Sequence, residues 1–125
     1  MIVNVLKSKI QEVIVTDSST SYEGSITIDP DLLEAANMFP TERVDINDST
    51  NGNRIFTYIL LGKRGSGDVK INGAASKLIH KGDKIHILSF GQIQFEHIWE
   101  HRAKIIYTDS NNKVISSKYI TTNMV

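Results

Sequence analysis

The 125-residue chain contains no cysteine. Disulfides, thiolate metal sites and cysteine nucleophiles are therefore excluded, and the composition fits a reducing compartment such as the cytoplasm. Charge of one sign is also lacking, because fourteen Lys and Arg balance fourteen Asp and Glu. Without a net field the chain has no general attraction for nucleic acid or for an anionic membrane, and neither is expected as a partner. No apolar run approaches the ~20 residues that cross a bilayer as a helix. Met1 to Gln11 carries Lys7 and Lys9 where a signal peptide needs an uninterrupted apolar stretch. Only two prolines occur, Pro30 and Pro40, and they bracket the one convincing helix. There is no linker, low-complexity tract or charge block, so residues 1–125 read as a single domain.

What is present is a core and many short strands. Hydrophobic residues make up 40% of the chain, enough for a globular interior. Segments rich in β-branched and aromatic residues lie between turn signals at Ile2 to Leu6, Glu12 to Thr16, Ser25 to Ile28 and Arg43 to Ile46. Others are Arg54 to Leu61, Val69 to Ile71, Lys84 to Phe90 and Ile105 to Thr108. Asn51-Gly52 predicts a tight hairpin joining Asp45-Ile46 to Phe56-Thr57-Tyr58. Asp29 and Pro30 predict a helix start, with Leu32, Leu33, Ala35 and Ala36 following. Phe95 to Arg102 reads as a short helix or irregular turn, and Lys113 to Val125 as a polar, mobile tail. The fold class expected is mainly β, a closed or partly closed barrel with one or two short helices.

Several chemistries can be weighed residue by residue. His97 and His101 are four apart, but the segment lacks the zinc-protease glutamate placement and a third ligand, so no metal is expected. Gly62 to Gly67 lacks the Gly-Lys-Ser/Thr ending of a phosphate loop and reads as a mobile hairpin tip. No Gly-x-Ser-x-Gly elbow is present. Gly24-Ser25, inside Tyr22-Glu23-Gly24-Ser25, is different. In a strained turn a serine hydroxyl can attack the preceding carbonyl, and glycine there removes the Cβ that would restrict the turn. Elimination of the resulting ester and hydrolysis would leave a ketone, a pyruvoyl group, at residue 25. On the strand after Asn51-Gly52, Arg54 and Tyr58 share a face, with Thr57 opposite unless a bulge reorients it. Arginine can grip a carboxylate through two parallel bonds, and a phenol can deliver a proton. Asn72-Gly73-Ala74-Ala75 is a small-residue turn that lets a ligand approach backbone N–H groups. Two readings stay open on these residues alone, a self-processing enzyme and a non-catalytic β-barrel binding module.

Taken together, the pieces resemble the pyruvoyl-dependent aspartate decarboxylase family. The resemblance is carried by Tyr22-Glu23-Gly24-Ser25, Ile28-Asp29, Thr50-Asn51-Gly52, Arg54, Thr57-Tyr58, Arg64-Gly65-Ser66, Asn72-Gly73-Ala74-Ala75, Gly82-Asp83 and Ser89-Phe90. It runs in register from Met1 to Phe90, while the tail after Gln92 matches poorly. It implies a double-psi β-barrel, a homotetramer and cytoplasmic self-cleavage between Gly24 and Ser25. The products would be a β chain, residues 1–24, and an α chain, residues 25–125, that begins with a pyruvoyl group made from Ser25. That group would hold L-aspartate as a Schiff base, without metal or pyridoxal phosphate. Loss of the α-carboxylate would give β-alanine and CO2 for pantothenate synthesis. The same resemblance implies that Thr57 assists cleavage and contacts substrate, and that Tyr58 is the proton donor. It places Asn72 around the pyruvoyl group, Gly73, Ala74 and Ala75 along the substrate, and Lys9 and Arg54 at substrate carboxylates. Two positions depart from the family pattern: Gln11 stands where many members have histidine, and Asn47 where some have tryptophan. Glutamine keeps hydrogen bonding but does not titrate, so no histidine role transfers to position 11. A different amino-acid substrate and a need for an activating protein both remain open.

Overall fold

The computed structural model of the chain describes residues 1–21 and 23–123. Tyr22, the first residue of the Tyr22–Ser25 motif, lies outside the described residues, as do Met124 and Val125 at the end of the tail. The chain begins with a long strand, β1 (Ile2–Ile14), followed by β2 (Asp17–Ser19), β3 (Ser25–Ile28) and a short helix, α1 (Pro30–Ala36). Next come β4 (Arg43–Asp48), β5 (Arg54–Leu61), β6 (Val69–Asn72) and a 3-10 turn at Gly73–Lys77. β7 (Lys84–Gln94), a second 3-10 turn at Phe95–Glu100, β8 (Arg102–Thr108) and β9 (Val114–Thr121) complete it.

All nine strands belong to one sheet, in the order β2-β6-β3-β5-β4-β7-β1-β8-β9. β2 continues the chain of β1 after two residues, yet it pairs with β6 at the far end of that order. One ribbon therefore draws the two sides of the sheet together, and the architecture is barrel-like. Isoleucines on the inward positions fill the interior: Ile10, Ile26, Ile46, Ile59, Ile85 and Ile87 are each 0% exposed. Such β-branched side chains suit a pleated, half-buried surface.

The two strands expected from Ile2 to Leu6 and Glu12 to Thr16 are largely one. Against β7 the register of β1 shifts between Leu6 and Ser8 and again between Ile10 and Val13. Glu12 adopts φ of 53° at the second shift. Each bulge slips the in–out alternation by one residue, which breaks the period without ending the strand. The Asn51-Gly52 hairpin forms with Asp45 opposite Phe56, Ile46 opposite Ile55 and Asn47 opposite Arg54. Its connection is longer than a two-residue turn. Asp48 organises it, accepting hydrogen bonds at Oδ1 from the Thr50 N–H (2.9 Å) and at its carbonyl from the Gly52 N–H (2.8 Å).

Two further expectations change. The tail is not free: Val114–Thr121 pairs antiparallel with β8. All of its side chains are exposed, so no apolar face marked it as a strand. The Gly62 to Gly67 segment is not a loose tip either. Arg64 pairs with Asp31 (2.7 Å) and Glu34 (2.6 Å). The Asp29 carboxylate caps α1 through the Asp31 N–H (2.8 Å) and also accepts the Gly65 (3.1 Å) and Gly67 (2.8 Å) N–H groups. Gly67 has φ of 74°, and a Cβ there would meet the Asn111 carbonyl oxygen at 2.6 Å.

Asp29 thus ties the end of β3 to the segment between β5 and β6. Burial pushes its pKa up, but the N–H groups of Asp31, Gly67 and Gly65 outweigh this and hold it below the ordinary value. The stabilisation is therefore complete above the unfolded carboxylate pKa, about 3.9. It is lost as pH falls through the lower folded value. Asp29→Ala removes a helix cap and leaves two glycine N–H groups without their acceptor, so it should cost about 3 kcal/mol. A denaturant midpoint that falls at unchanged slope would show this; an unmoved midpoint would remove Asp29 as the fastening.

Candidate active site

Ser25 opens β3, between two other strands. On one side it lies opposite Asn72 of β6; on the other, β3 runs parallel to β5 with Ile26 beside Ile59. The serine is 1% exposed. Its Oγ accepts a hydrogen bond from Asn72 Nδ2 (2.9 Å), which also donates to Thr27 Oγ1 (3.0 Å). The same Oγ donates a long bond to the Glu23 carbonyl (3.4 Å). A buried hydroxyl is thus held by one amide immediately after the Gly24–Ser25 bond. An amide N–H₂ can donate equally to a hydroxyl or to a carbonyl oxygen, so Asn72 fits either group at position 25.

Gly24 is exposed and does not adopt a positive φ. A Cβ there would meet nothing nearer than the Asn72 carbonyl oxygen at 3.9 Å. Gly24 lies in a bend, and the intact chain makes no use there of the positive φ that glycine allows. Gly73 does: its φ is 79°, it is buried, and it begins the 3-10 turn that carries Ala74 and Ala75.

Gly24, Thr57, Tyr58, Ala74 and Ala75 line one open cavity of about 610 Å³, together with Arg43, Ile55, Phe56 and Leu78. β5 pairs with β4 without a bulge, so Thr57 and Tyr58 point to opposite sides of the strand, yet both border this cavity. Neither hydroxyl is hydrogen-bonded to a described residue. Threonine and phenol protons are both available to a reacting group.

The other two expected residues lie elsewhere in the chain. Arg54 is four residues back along β5 from Tyr58, about 13 Å at strand rise. It lines a neighbouring cavity with Asp45, Asn47 and Phe90. Lys9, half-buried on β1, sits opposite Leu88 of β7 and beside Ile105 of β8. The imidazole near Lys9 comes from His86, which lies opposite Asn47 and accepts the Glu12 N–H at Nδ1 (3.2 Å). Burial, then the Lys9 charge, hold His86 below its ordinary pKa. His101 Nε2 is hydrogen-bonded to the Leu6 carbonyl (2.7 Å), and His97 lies beside Glu100 (3.5 Å). Among the described residues no group of three or more His, Cys, Asp and Glu could hold a metal ion.

Arg43 was missed by sequence reasoning. It is the cross-strand partner of Tyr58, and its guanidinium stacks 4.0 Å over the Phe56 ring. Counting the hairpin register outward from Asp45 and Phe56 would have found it.

A mainly β, barrel-like chain with a buried serine after an exposed glycine, beside a cavity bordered by two hydroxyls without a partner among the described residues, has the outline of an enzyme. Residues 1–115 match the family model described as Aspartate decarboxylase, and the chain belongs to that family of carboxy-lyases. It is 44% identical over 118 residues to the Aspartate 1-decarboxylase of Acetivibrio thermocellus, covering 94% of each chain. The enzyme of the same name from Neisseria meningitidis is 46% identical over 110 residues, 88% of this chain and 87% of that one. That from Caldicellulosiruptor saccharolyticus is 43% identical over 115 residues, 92% and 90%. The match extends past Gln92, where the sequence alone had shown little likeness.

Proposed function

We propose that the chain cuts itself between Gly24 and Ser25 and then decarboxylates L-aspartate at the α-carbon, releasing β-alanine and CO2 for pantothenate synthesis in the cytoplasm. The observation that carries this is the arrangement at Ser25: a buried hydroxyl gripped by Asn72 directly after the exposed Gly24, with Thr57 unpaired among the described residues and bordering the same cavity as Gly24.

In the cutting step Ser25 Oγ attacks the Gly24 carbonyl carbon, and the amide becomes an ester. Thr57 donates its hydroxyl proton to the oxyanion that develops, an interaction worth about 3 kcal/mol in other enzymes. Loss of the Ser25 α-proton expels the Gly24 carboxylate and leaves dehydroalanine at 25. One water then replaces nitrogen with oxygen, and ammonia leaves. The pyruvoyl group so formed supplies the electrophile and electron sink that pyridoxal phosphate supplies in other decarboxylases. The chain's own residues do the rest. Ala74 and Ala75 leave room for substrate, Gly73 lets the backbone turn toward it, and Asn72 holds the oxygen at position 25. Tyr58 returns a proton to the former α-carbon. Lys9 and Arg54 remain assigned to substrate carboxylates; neither borders the Gly24 cavity within one chain, which supports a site completed by assembly. Phe56 and Phe90, 65% and 51% exposed, support association of chains, since such surface is costly to leave in water, and the family resemblance implies a homotetramer. No helix among the described residues is long and apolar enough to cross a membrane.

Denaturing intact mass of the purified chain tests the reading. The expected result is two fragments, 1–24 and 25–125, the larger lighter by one ammonia than a chain starting with serine. A single full-length mass after prolonged warming would overturn it.

A further inference from the structure

The turn between β4 and β5 is fastened to the segment that leads from the first 3-10 turn into β7. Asn51 Nδ2 (3.0 Å) and Asn53 Nδ2 (2.9 Å) both donate to the Leu78 carbonyl. The Lys84 N–H donates to Thr50 Oγ1 (3.0 Å), and the Lys84 carbonyl accepts the Ser49 N–H (2.9 Å). Leu78 caps the 3-10 turn that carries Ala74 and Ala75, and it lines the Gly24 cavity. The β4–β5 turn therefore braces one wall of that cavity.

Two carboxyl groups lie inside this contact. Asp48 is 2% exposed and Asp83 7%. Asp48 Oδ1 accepts the Thr50 N–H (2.9 Å), with the Asn51 N–H further off (3.4 Å). Asp83 Oδ2 accepts the His80 N–H (2.9 Å) and, at 3.5 Å, Asn51 Nδ2. Asp48 Oδ2 is buried and receives no hydrogen bond from any N–H or hydroxyl among the described residues. What it meets is the Asp83 carboxyl. Two ionised carboxylates are acceptors only and repel, whereas one proton between them turns repulsion into a hydrogen bond. Burial, then the Asp83 carboxyl, push Asp48 above its ordinary value. Asp83 is held below its own: burial pushes it up, but the Asp48 hydroxyl and the His80 N–H outweigh this. Around the pair lie His80 and Lys81 in the same segment, Lys84 and His86 on β7, Arg54 on β5 and Glu12 on β1. Of these, His80 acts on it, with Nδ1 3.7 Å from Asp83 Oδ2.

We propose that Asp48 and Asp83 share one proton, and that this acid–carboxylate pair is a pH-sensitive clamp holding the β4–β5 turn against Leu78–Lys84. Unfolded, both groups titrate near 3.9, so between that value and the raised value of Asp48 the folded chain holds one proton more. The contribution is complete below the unfolded value and is lost as pH rises through the folded one, where both groups become charged. The pair binds its proton whether or not the chain is cut at Gly24.

Asp48→Asn tests this on the full chain, by thermal unfolding and hydrogen exchange near pH 4.5 and near pH 8. The Thr50 and Asn51 N–H groups hold the oxygen of the new amide, so its N–H₂ faces Asp83 as a permanent donor. Relative to wild type the midpoint should rise by about 3 °C or more near pH 8, and by less than about 1 °C near pH 4.5. Near pH 8, peptides covering 48–53 and 78–84 should exchange about threefold or more slowly than in wild type. Asp83→Asn removes the repulsion from the other side, so its midpoint should fall less than that of wild type between the two pH values, even where it starts lower. Made in a His80→Gln background, Asp48→Asn should keep its gain near pH 8; a gain that vanishes there would give the pH dependence to the imidazole and overturn the pair. Equal midpoints for Asp48→Asn and wild type near pH 8, or the same gain at both pH values, would overturn the shared proton.

Discussion

Ser25→Ala should leave one full-length chain with no decarboxylase activity, however long it is warmed. On the proposed reading the variant removes the hydroxyl that attacks the Gly24 carbonyl, and with it the atom from which the electrophile is made. Its fold should survive. Asn72 loses one hydrogen bond but keeps its 3.0 Å bond to Thr27 Oγ1, so the cost is about 1 kcal/mol. The methyl of alanine occupies less space than the hydroxymethyl it replaces, and β3 keeps both of its neighbours. The second Gly–Ser bond, Gly65–Ser66, offers no substitute. Ser66 Oγ is engaged with the Lys63 carbonyl (2.5 Å), and the Gly65 N–H is spent on Asp29. Intact mass and far-UV circular dichroism decide the matter together. Normal cleavage of a folded Ser25→Ala chain would remove the proposed origin of the electrophile.

The reach of the sequence follows from where side-chain burial changes sign. β3, β5, β6 and β7 were visible because their apolar residues alternate or run together against a core, as Ile26, Ile59, Ile71 and Ile87 do. α1 was visible because Asp29 and Pro30 form a start signal independent of packing. β9 was not, since a strand exposed on both faces has no periodicity to read. β1 was split because its bulges at Leu6/Ser8 and Ile10/Val13 shift the alternation twice. At the site, the motifs led to residues that the structure brings together: Asn72 faces Ser25 in register, and Thr57 and Tyr58 border the Gly24 cavity. Spacing on one strand could not show that Arg54 and Tyr58, though on one face, open onto different cavities. Nor could it show that Arg43 lies opposite Tyr58, because that depends on β4–β5 register rather than on a motif.

Thr57→Val should slow self-cleavage by about 100- to 1,000-fold, the range found when one oxyanion donor is removed elsewhere. The substitution is well suited to separate chemistry from folding. The Thr57 hydroxyl has no hydrogen-bond partner among the described residues, so replacing it with a methyl breaks no bond inside the protein. Valine is at least as good a strand residue as threonine, and position 57 lies half-buried opposite Val44 on β4. Stability should therefore change by less than about 1 kcal/mol, while cleavage falls by two orders of magnitude or more. The measurement is the time course of the 25–125 fragment at fixed temperature. Thr57→Ser, which keeps the hydroxyl and gives up the β-branched methyl, should cut at a rate near that of wild type. If Thr57→Val matures as fast as wild type, the oxyanion must be met by another donor. Few other donors are then left among the described residues, since the Asn72 amide is already committed to Ser25 Oγ and Thr27 Oγ1. A slow Thr57→Val together with a normal Thr57→Ser would place the rate in the hydroxyl itself, because packing, charge and strand propensity would each predict a different order of the three proteins.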